Sequence, residues 1–169
     1  DLCWPLLYGI SDSLSPALGY NWGAQNYDRV KKIAKCGFTG TAVVAVLSTS
    51  FLFFCPRTVA SLFVDSGDTQ LLALATHGVR IFCTAYIFRW IVVMTQSYLS
   101  AIEKPAQATV MSVSTALVFP VLMLGALWGF GLDGIWLNFT GVNVLAAILA
   151  GYLLLRLGKE IKRRERENT

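Results

Sequence analysis

Acidic residues are scarce in this chain, and their placement says more than their number. Only ten of 169 residues are Asp or Glu, and none lies within four long apolar runs at about 36–55, 80–101, 106–128 and 135–155. Charged residues of both signs make up 14%, where soluble domains carry about 25%. Hydrophobic residues make up 55% and the mean hydropathy is +0.57, which excludes an ordinary soluble surface. Cysteine is equally thin. Cys3, Cys36, Cys55 and Cys83 form no CxxC pair and no metal-type spacing, so they read as small packing residues rather than a disulfide or zinc framework. No Ser or Thr in the runs has a nearby His/Asp arrangement, which leaves nucleophilic catalysis unsupported. No Gly-rich phosphate loop follows a strand, which removes nucleotide hydrolysis as well. The chain reads as no enzyme, and no cofactor or metal site is expected in it.

What is present is apolar length. A helix crossing a hydrocarbon layer needs roughly 20 apolar residues, and each of the four runs supplies them. A fifth piece, about 2–10, is too short to cross alone and reads as the end of a preceding helix. The chain opens at Asp1-Leu2-Cys3-Trp4-Pro5 inside that piece, so a longer polypeptide is expected. The fold class is therefore all-α: a polytopic transmembrane helical bundle of four full spans plus the end of a preceding one. Residues 11–35 are expected as a polar, basic loop. Residues 56–79 are expected as a connection that turns at Asp65-Ser66-Gly67-Asp68 and carries an amphipathic piece around Leu71, Leu72, Leu74 and Ala75 on the membrane interface. Tight turns are expected at 102–105 and 129–134, and a charged tail over 158–169. Pro120, deep in the third run, removes a backbone hydrogen bond and predicts a kink. Gly37, Gly40, Gly141 and Gly151 are the small residues at which such helices approach each other.

The net charge of +4 is carried by two basic groups, Arg29 to Lys35 and Lys159 to Arg166. Both flank apolar runs and neither has the aromatic platform or groove-reading motif of a nucleic-acid binder; no nucleic acid partner is expected. With loops alternating between two sides, Arg29, Lys31, Lys32, Lys35, Lys104, Arg156, Lys159, Lys162, Arg163, Arg164 and Arg166 fall on one side, eleven in all. Arg57 and Arg80 fall on the other. Positive charge collects on the cytoplasmic side of spans, so the eleven mark the cytoplasm. The expected location is the cell (inner) membrane, multi-pass, with the C-terminus cytoplasmic.

Ser15-Pro16-Ala17-Leu18-Gly19-Tyr20-Asn21-Trp22-Gly23-Ala24, followed by Arg29 and Lys31, resembles a signature of the multidrug and toxic compound extrusion (MATE) family. In that signature a Pro precedes Tyr-Asn-aromatic-Gly-Ala and then Arg and Lys. Tyr98-Leu-Ser-Ala-Ile-Glu-Lys-Pro105 and Gly131-Leu-Asp-Gly-Ile-Trp136 match further family segments in the expected order. The resemblance implies a twelve-helix antiporter of two six-helix lobes, of which residues 1–157 are part of the C-terminal lobe. The remaining N-terminal lobe of the same polypeptide, the lipid bilayer and a small-molecule substrate are the implied partners. Pro16, Asn21, Gly23, Ala24 and Arg29 form the family-motif loop. The coupling ion is H+ or Na+, with its site outside this stretch: some relatives bind it through an acidic residue on the tenth helix, and 80–101 has none. Many bacterial relatives carry an Arg early in the eleventh helix where Thr115 stands here, and a Pro near the place of Phe139-Thr140. A flippase for lipid-linked precursors and a non-transporting membrane scaffold are the alternatives.

Within the spans, Arg89 is the one charge at a helix centre. A charge there costs roughly 2.5–3.5 kcal/mol on insertion scales, so it must face protein or water. Tyr86, Val93, Gln96 and Ser100 share its helical face by spacing, and that stripe is a candidate wall of a transport cavity. It favours a neutral or anionic ligand, while the plainer reading is an Arg held by carbonyls or by a carboxylate elsewhere. Asn138, Thr140 and Asn143 are a second candidate group, with interhelical hydrogen bonding as the plainer reading. His77 reads as a headgroup-level residue rather than a proton relay, and Asp133 as a turn residue. If the charge distribution sets the orientation, a cysteine placed at Ser66 in a background without native cysteines reacts with an impermeant thiol reagent from outside. Reaction only in inverted vesicles would reverse the orientation.

Overall fold

In the computed structural model, residues 4–64 and 69–167 are described, and among them every regular element is helical. The order is α1 (Trp4–Gly23), α2 (Tyr27–Phe54), α3 (Pro56–Ser61), α4 (Thr69–Cys83), α5 (Tyr86–Ala101), α6 (Pro105–Val113), a π-helical turn (Ser114–Val118), α7 (Phe119–Leu127), a 3-10 turn (Trp128–Phe130) and α8 (Gly131–Glu167). The expected turn at Asp65–Asp68 lies outside the described residues.

The first correction concerns residues 11–35. They do not form a loop: α1 continues to Gly23, and α2 begins at Tyr27. Pro16, Asn21 and Gly23 are helical, Arg29 is in the first turn of α2, and of the motif residues only Ala24 lies in the link. The link closes by hydrogen bonds from Asn26 N–H to the Asn21 carbonyl (2.9 Å) and from Gln25 N–H to the Trp22 carbonyl (3.0 Å), with Gln25 at φ 56°. That is the paired capping pattern with a left-handed residue that ends many helices. The turn after α5 repeats it. Lys104 N–H reaches the Leu99 carbonyl (3.0 Å), Glu103 N–H the Ser100 carbonyl (3.4 Å), and Glu103 sits at φ 58°.

By length and composition, Tyr27–Phe54 and Pro105–Arg164 are apolar enough to cross a membrane, and the pair Thr69–Cys83 with Tyr86–Ala101, bent by 50°, makes up to three such stretches. The second stretch is not one straight rod. Asn138 Nδ2 donates to the Pro120 carbonyl at 3.4 Å, and a Cβ on Gly141 would collide with Met123. Residues eighteen apart on one helix would be about 27 Å apart, so the chain reverses between α7 and α8, at Gly131 (φ 59°). The turn expected over 129–134 is thus tighter, with α8 starting at Gly131 and running unbroken through the expected tail to Glu167.

The second apolar run is not a single span beginning at Arg80. The amphipathic piece around Leu71 is the first leg of the bent pair, and the break falls at Thr84-Ala85. Bonds there tighten to the i−3 carbonyl: Thr84 to Ile81 (3.3 Å), Ala85 to Phe82 (3.2 Å) and Ile87 to Thr84 (3.3 Å), the narrower 3-10 geometry. Ahead of Pro120 the backbone widens instead. Phe119 N–H reaches back five residues to the Ser114 carbonyl, so the disturbance expected from the proline takes the form of a π turn.

Helices α1, α2 and α5 meet around Gly37, where an added Cβ would lie 2.7 Å from Leu14 Cδ1 and against Met94. Gly19 of α1 would place a Cβ 3.2 Å from the Ala101 carbonyl of α5. Gly151, by contrast, has no neighbour within 4 Å of its virtual Cβ among the described residues and is not a packing contact. At the basic end, α8 is fastened to the rest. Lys104 Nζ meets Glu160 Oε2 at 2.5 Å, Arg164 bridges to Glu160 Oε1 at 3.2 Å, and the Arg164 guanidinium lies over the Trp22 ring at 5.4 Å.

Lys104, more than burial or Arg164, sets the charge state of Glu160: its hydrogen bond holds the Glu160 carboxyl below the ordinary value of 4.5. A lowered carboxyl contributes stability above the ordinary range and loses it as pH falls through the lowered value. Glu160→Gln is therefore expected to lower the thermal midpoint in detergent at pH 7 by about 2–4 °C, the scale of a partly exposed pair near 1 kcal/mol. As pH falls through the lowered Glu160 value, variant and parent converge, because protonation removes the charge; a constant difference across pH would show that the clamp is not ionic.

Candidate functional site

A cavity of about 500 Å³ opens between α1, α5, α6, α7 and α8, lined by Tyr8, Arg89, Gln96, Ser112, Thr115 and Asn138 with Ala116, Pro120, Ile135, Phe139 and Val142. The polar groups converge from separate elements. Arg89 projects from the first turn of α5 and donates through Nη1 to Asn143 Oδ1 at 3.4 Å. Asn143 is fully buried, and its Nδ2 is fixed on the Phe139 carbonyl at 2.8 Å, which turns its oxygen toward the guanidinium. The Tyr8 hydroxyl of α1 is a hydrogen-bonding neighbour of Arg89 on the other flank. Lower on α5, Gln96 Nε2 donates to Ser112 Oγ of α6. Thr115 lies in the π turn and donates to the Met111 carbonyl at 2.8 Å.

Arg89, Gln96 and Asn138 therefore share one cavity wall, and Asn143 stands behind Arg89 as its support rather than in the lining. Tyr86 is not among the residues that line this cavity. It is buried against Leu7 and Ala45 and lines a second, apolar cavity of about 600 Å³ with Phe51, Phe82 and Trp136. Tyr86 is the first residue of α5, one turn before Arg89, and interacts with its guanidinium electrostatically from outside the lining. Val93, on the same expected stripe, is likewise buried. Thr140 pairs with Thr84 at 2.9 Å across that break. His77 and Asp133, read separately from sequence, are partners: Nε2 and Oδ1 are 3.3 Å apart, with the His77 ring edge-on to Trp136.

Sequence reasoning missed Tyr8, Ser112 and Asp12. Asp12 accepts a hydrogen bond from Ser97 Oγ of α5 at 3.0 Å. Ending the first helix near residue 10 placed Asp12 in a loop. The signal against that was available, since Leu7, Ser11, Leu14, Leu18 and Trp22 keep helical spacing straight through it.

Arg89 is held by neutral groups, and no Asp or Glu lines its cavity among the described residues. The arrangement presents a guanidinium fork with hydroxyls and amides to a ligand of about cavity size, a donor-rich surface suited to an acceptor-bearing molecule.

A family model described as MatE matches residues 2–125. The Multidrug export protein MepA of Staphylococcus haemolyticus (strain JCSC1435) is 25% identical over 154 residues, covering 90% of this chain and 33% of that protein. A solved structure described as the inward-facing conformation of a multidrug resistance MATE family transporter of the MOP superfamily superposes with a TM-score of 0.85 at 18% identity, covering 96% of this chain and 38% of that one. An outward-facing conformation under the same description gives 0.80 at 18% identity, covering 90% and 34%. The chain thus spans about a third of the length of these relatives.

If Arg89 lines a ligand path, Arg89→Ala in the full-length protein changes transport or its substrate range while folded yield holds. If it balances a carboxylate outside this stretch, removing it strands that charge at about 3–5 kcal/mol, and yield and transport fall together. Arg89→Lys keeps the charge without the planar fork and rescues only the second case. Arg89→Ala with both quantities unchanged would remove Arg89 from the site.

Proposed function

Because this chain belongs to the MatE family, we propose that it forms part of an ion-coupled antiporter that exports drugs or other small organic molecules by alternating access. In this reading it contributes the C-terminal lobe up to about residue 157, and the rest of the polypeptide supplies the N-terminal lobe. Helices α2, α4–α5, α6–α7 and α8 make the four crossings, with the basic end and its clamp on the cytoplasmic side. Families of this kind carry no enzymatic chemistry, and nothing in the cavity calls for it.

The observation that carries the reading is the cavity around Arg89. It gathers polar side chains from α1, α5, α6 and α8 on one side of an otherwise apolar bundle. Ionisable groups at membrane depth are expensive and mark substrate or ion paths by default. The likeness to both inward- and outward-facing relatives supports a lobe that moves as a body, since one arrangement of these helices fits either state. Rocking of two such bodies around a central site is the usual form of alternating access. The power source is an ion gradient, H+ or Na+.

The test is export by the full-length protein in proteoliposomes, with a fluorescent organic substrate and an imposed ion gradient. Gradient-dependent export is expected, and residues 1–169 alone are expected to insert without moving substrate. Export by residues 1–169 alone would contradict the two-lobe mechanism, and absence of export by the full-length protein under either gradient would overturn the antiporter reading.

A further inference from the structure

The polar cavity around Arg89 and the apolar cavity beside it share a wall. Tyr86, in the apolar lining, precedes Arg89 by one turn of α5. On α8 the consecutive residues Ile135 and Trp136 line the polar and the apolar cavity respectively. Between the two stand a pair of rings, Phe82 from the apolar side and Phe139 from the polar side, with centroids 4.2 Å apart and planes 11° from parallel. The backbone beside them is tied by the Thr84–Thr140 hydrogen bond at 2.9 Å. The partition itself is made of side chains, which change rotamer without moving the backbone.

The two spaces differ in chemistry. The apolar cavity, about 600 Å³, is walled by rings such as Phe51, Phe63, Phe82 and Trp136 and has no charged side chain in its lining. The polar cavity, about 500 Å³, holds one cation and, among the described residues, no Asp or Glu. Each has the size, roughly 300–1,000 Å³, at which small-molecule sites occur. Their order in depth speaks against a bilayer phospholipid as the occupant. Asn143, which accepts a hydrogen bond from Arg89, lies seven residues beyond Trp136 on α8, so the charge sits about 10 Å deeper than the apolar cavity's Trp136. A phospholipid keeps its phosphate at the surface and its chains inside, the opposite order.

We propose that the two cavities form one site for an amphiphilic organic anion, its carboxylate on Arg89 and its apolar body among Phe63, Phe82 and Trp136 once the Phe82–Phe139 stack has parted. The inference rests on the antiporter reading above and names the class of cargo. A guanidinium offers a carboxylate parallel N–H donors in a planar fork, and Asn143 orients that fork from behind at 3.4 Å. Gln96 and Asn138 add amides to the same wall. An organic cation of the same shape meets like charge there, so the site discriminates by repulsion as well as by attraction. The apolar body gains by leaving water for the ring-lined space.

Binding to the full-length protein in lipid nanodiscs, with empty nanodiscs as the blank, provides the test. The probes are pyrenebutyrate, pyrenebutanol and pyrenebutyl-trimethylammonium, one apolar body with three heads. The carboxylate is expected to bind most tightly. Arg89→Gln is expected to weaken it about tenfold or more, the scale of a lost hydrogen bond to a charged group, and to leave the alcohol nearly unchanged. Val79→Trp fills the apolar cavity and is expected to weaken all three. Equal binding of the three probes by the parent would overturn the proposal, as would carboxylate binding indifferent to Arg89→Gln. Binding unaffected by Val79→Trp would overturn it too, and would mean that lipid or another part of the polypeptide fills the apolar cavity. Should a variant fail to fold, the parent decides the matter through a photoreactive carboxylate with a diazirine at its apolar end. Adducts are expected on residues 75–82 or on Trp136, and adducts confined to other segments would rule the site out. Binding is read without transport, so the two readings fail separately. Gradient-driven export of another organic compound by a protein that does not bind pyrenebutyrate sinks only the cargo class, whereas binding as expected with no export under either gradient sinks only the antiporter reading.

Discussion

The bundle depends on a glycine. Gly37 is where α1, α2 and α5 come together, and the space a side chain would need is held by Leu14 and Met94. In lipid there is no hydrophobic gain from joining two apolar helices, so association rests on close van der Waals fit and polar links. Glycine permits the fit, and the same device recurs where Gly141 receives Met123 and Gly19 approaches the Ala101 carbonyl. The polar cavity follows from it. Only with α5 pressed between α1 and α8 do Tyr8 and Asn143 reach Arg89 from opposite sides.

How far the sequence could be read depends on which force set each feature. Apolar length alone located the bodies of α2, α5, α6–α7 and α8, because a bilayer imposes a length on whatever crosses it. It failed on α1, whose Ser11, Asp12, Ser13 and Asn21 dilute the apolar signal. Those polar residues answer to protein neighbours, with Ser11 and Asn21 buried, and not to lipid. The break at Thr84-Ala85 was equally invisible, since it contains neither Gly nor Pro and its polar link, Thr84 to Thr140, is 56 residues away in sequence. The site was half legible for the same reason. Arg89, Gln96 and Asn138 stood out as polar groups in apolar runs, whereas Tyr86, one turn from Arg89, lines the neighbouring apolar cavity.

Charge is laid out in two unlike ways. At the basic end it is paired and superficial: Lys104, Glu160 and Arg164 tie the end of α8 to the α5–α6 turn and to Trp22. Both turns at that end close with a left-handed non-glycine residue, Gln25 and Glu103, a conformation held only where surrounding hydrogen bonds over-determine it. Deeper in, Arg89 is held by neutral groups, Asn143 and Tyr8.

The composition of α1 bears on how the chain enters a membrane at all. A helix with Asp12 near its middle and Ser11, Ser13 and Asn21 around it gains little by leaving the translocon for lipid on its own, since an Asp near a helix centre costs about 2.5–3.5 kcal/mol on the insertion scale. Helix α2 follows after a link of three residues and is strongly apolar along the side turned away from α1. The two are therefore suited to enter the bilayer as a preassembled hairpin, with α2 providing the partition energy and the Gly37 contact already closed. On this route, biogenesis requires α2 to emerge from the ribosome before α1 commits to lipid, so the order of synthesis becomes part of what the sequence encodes.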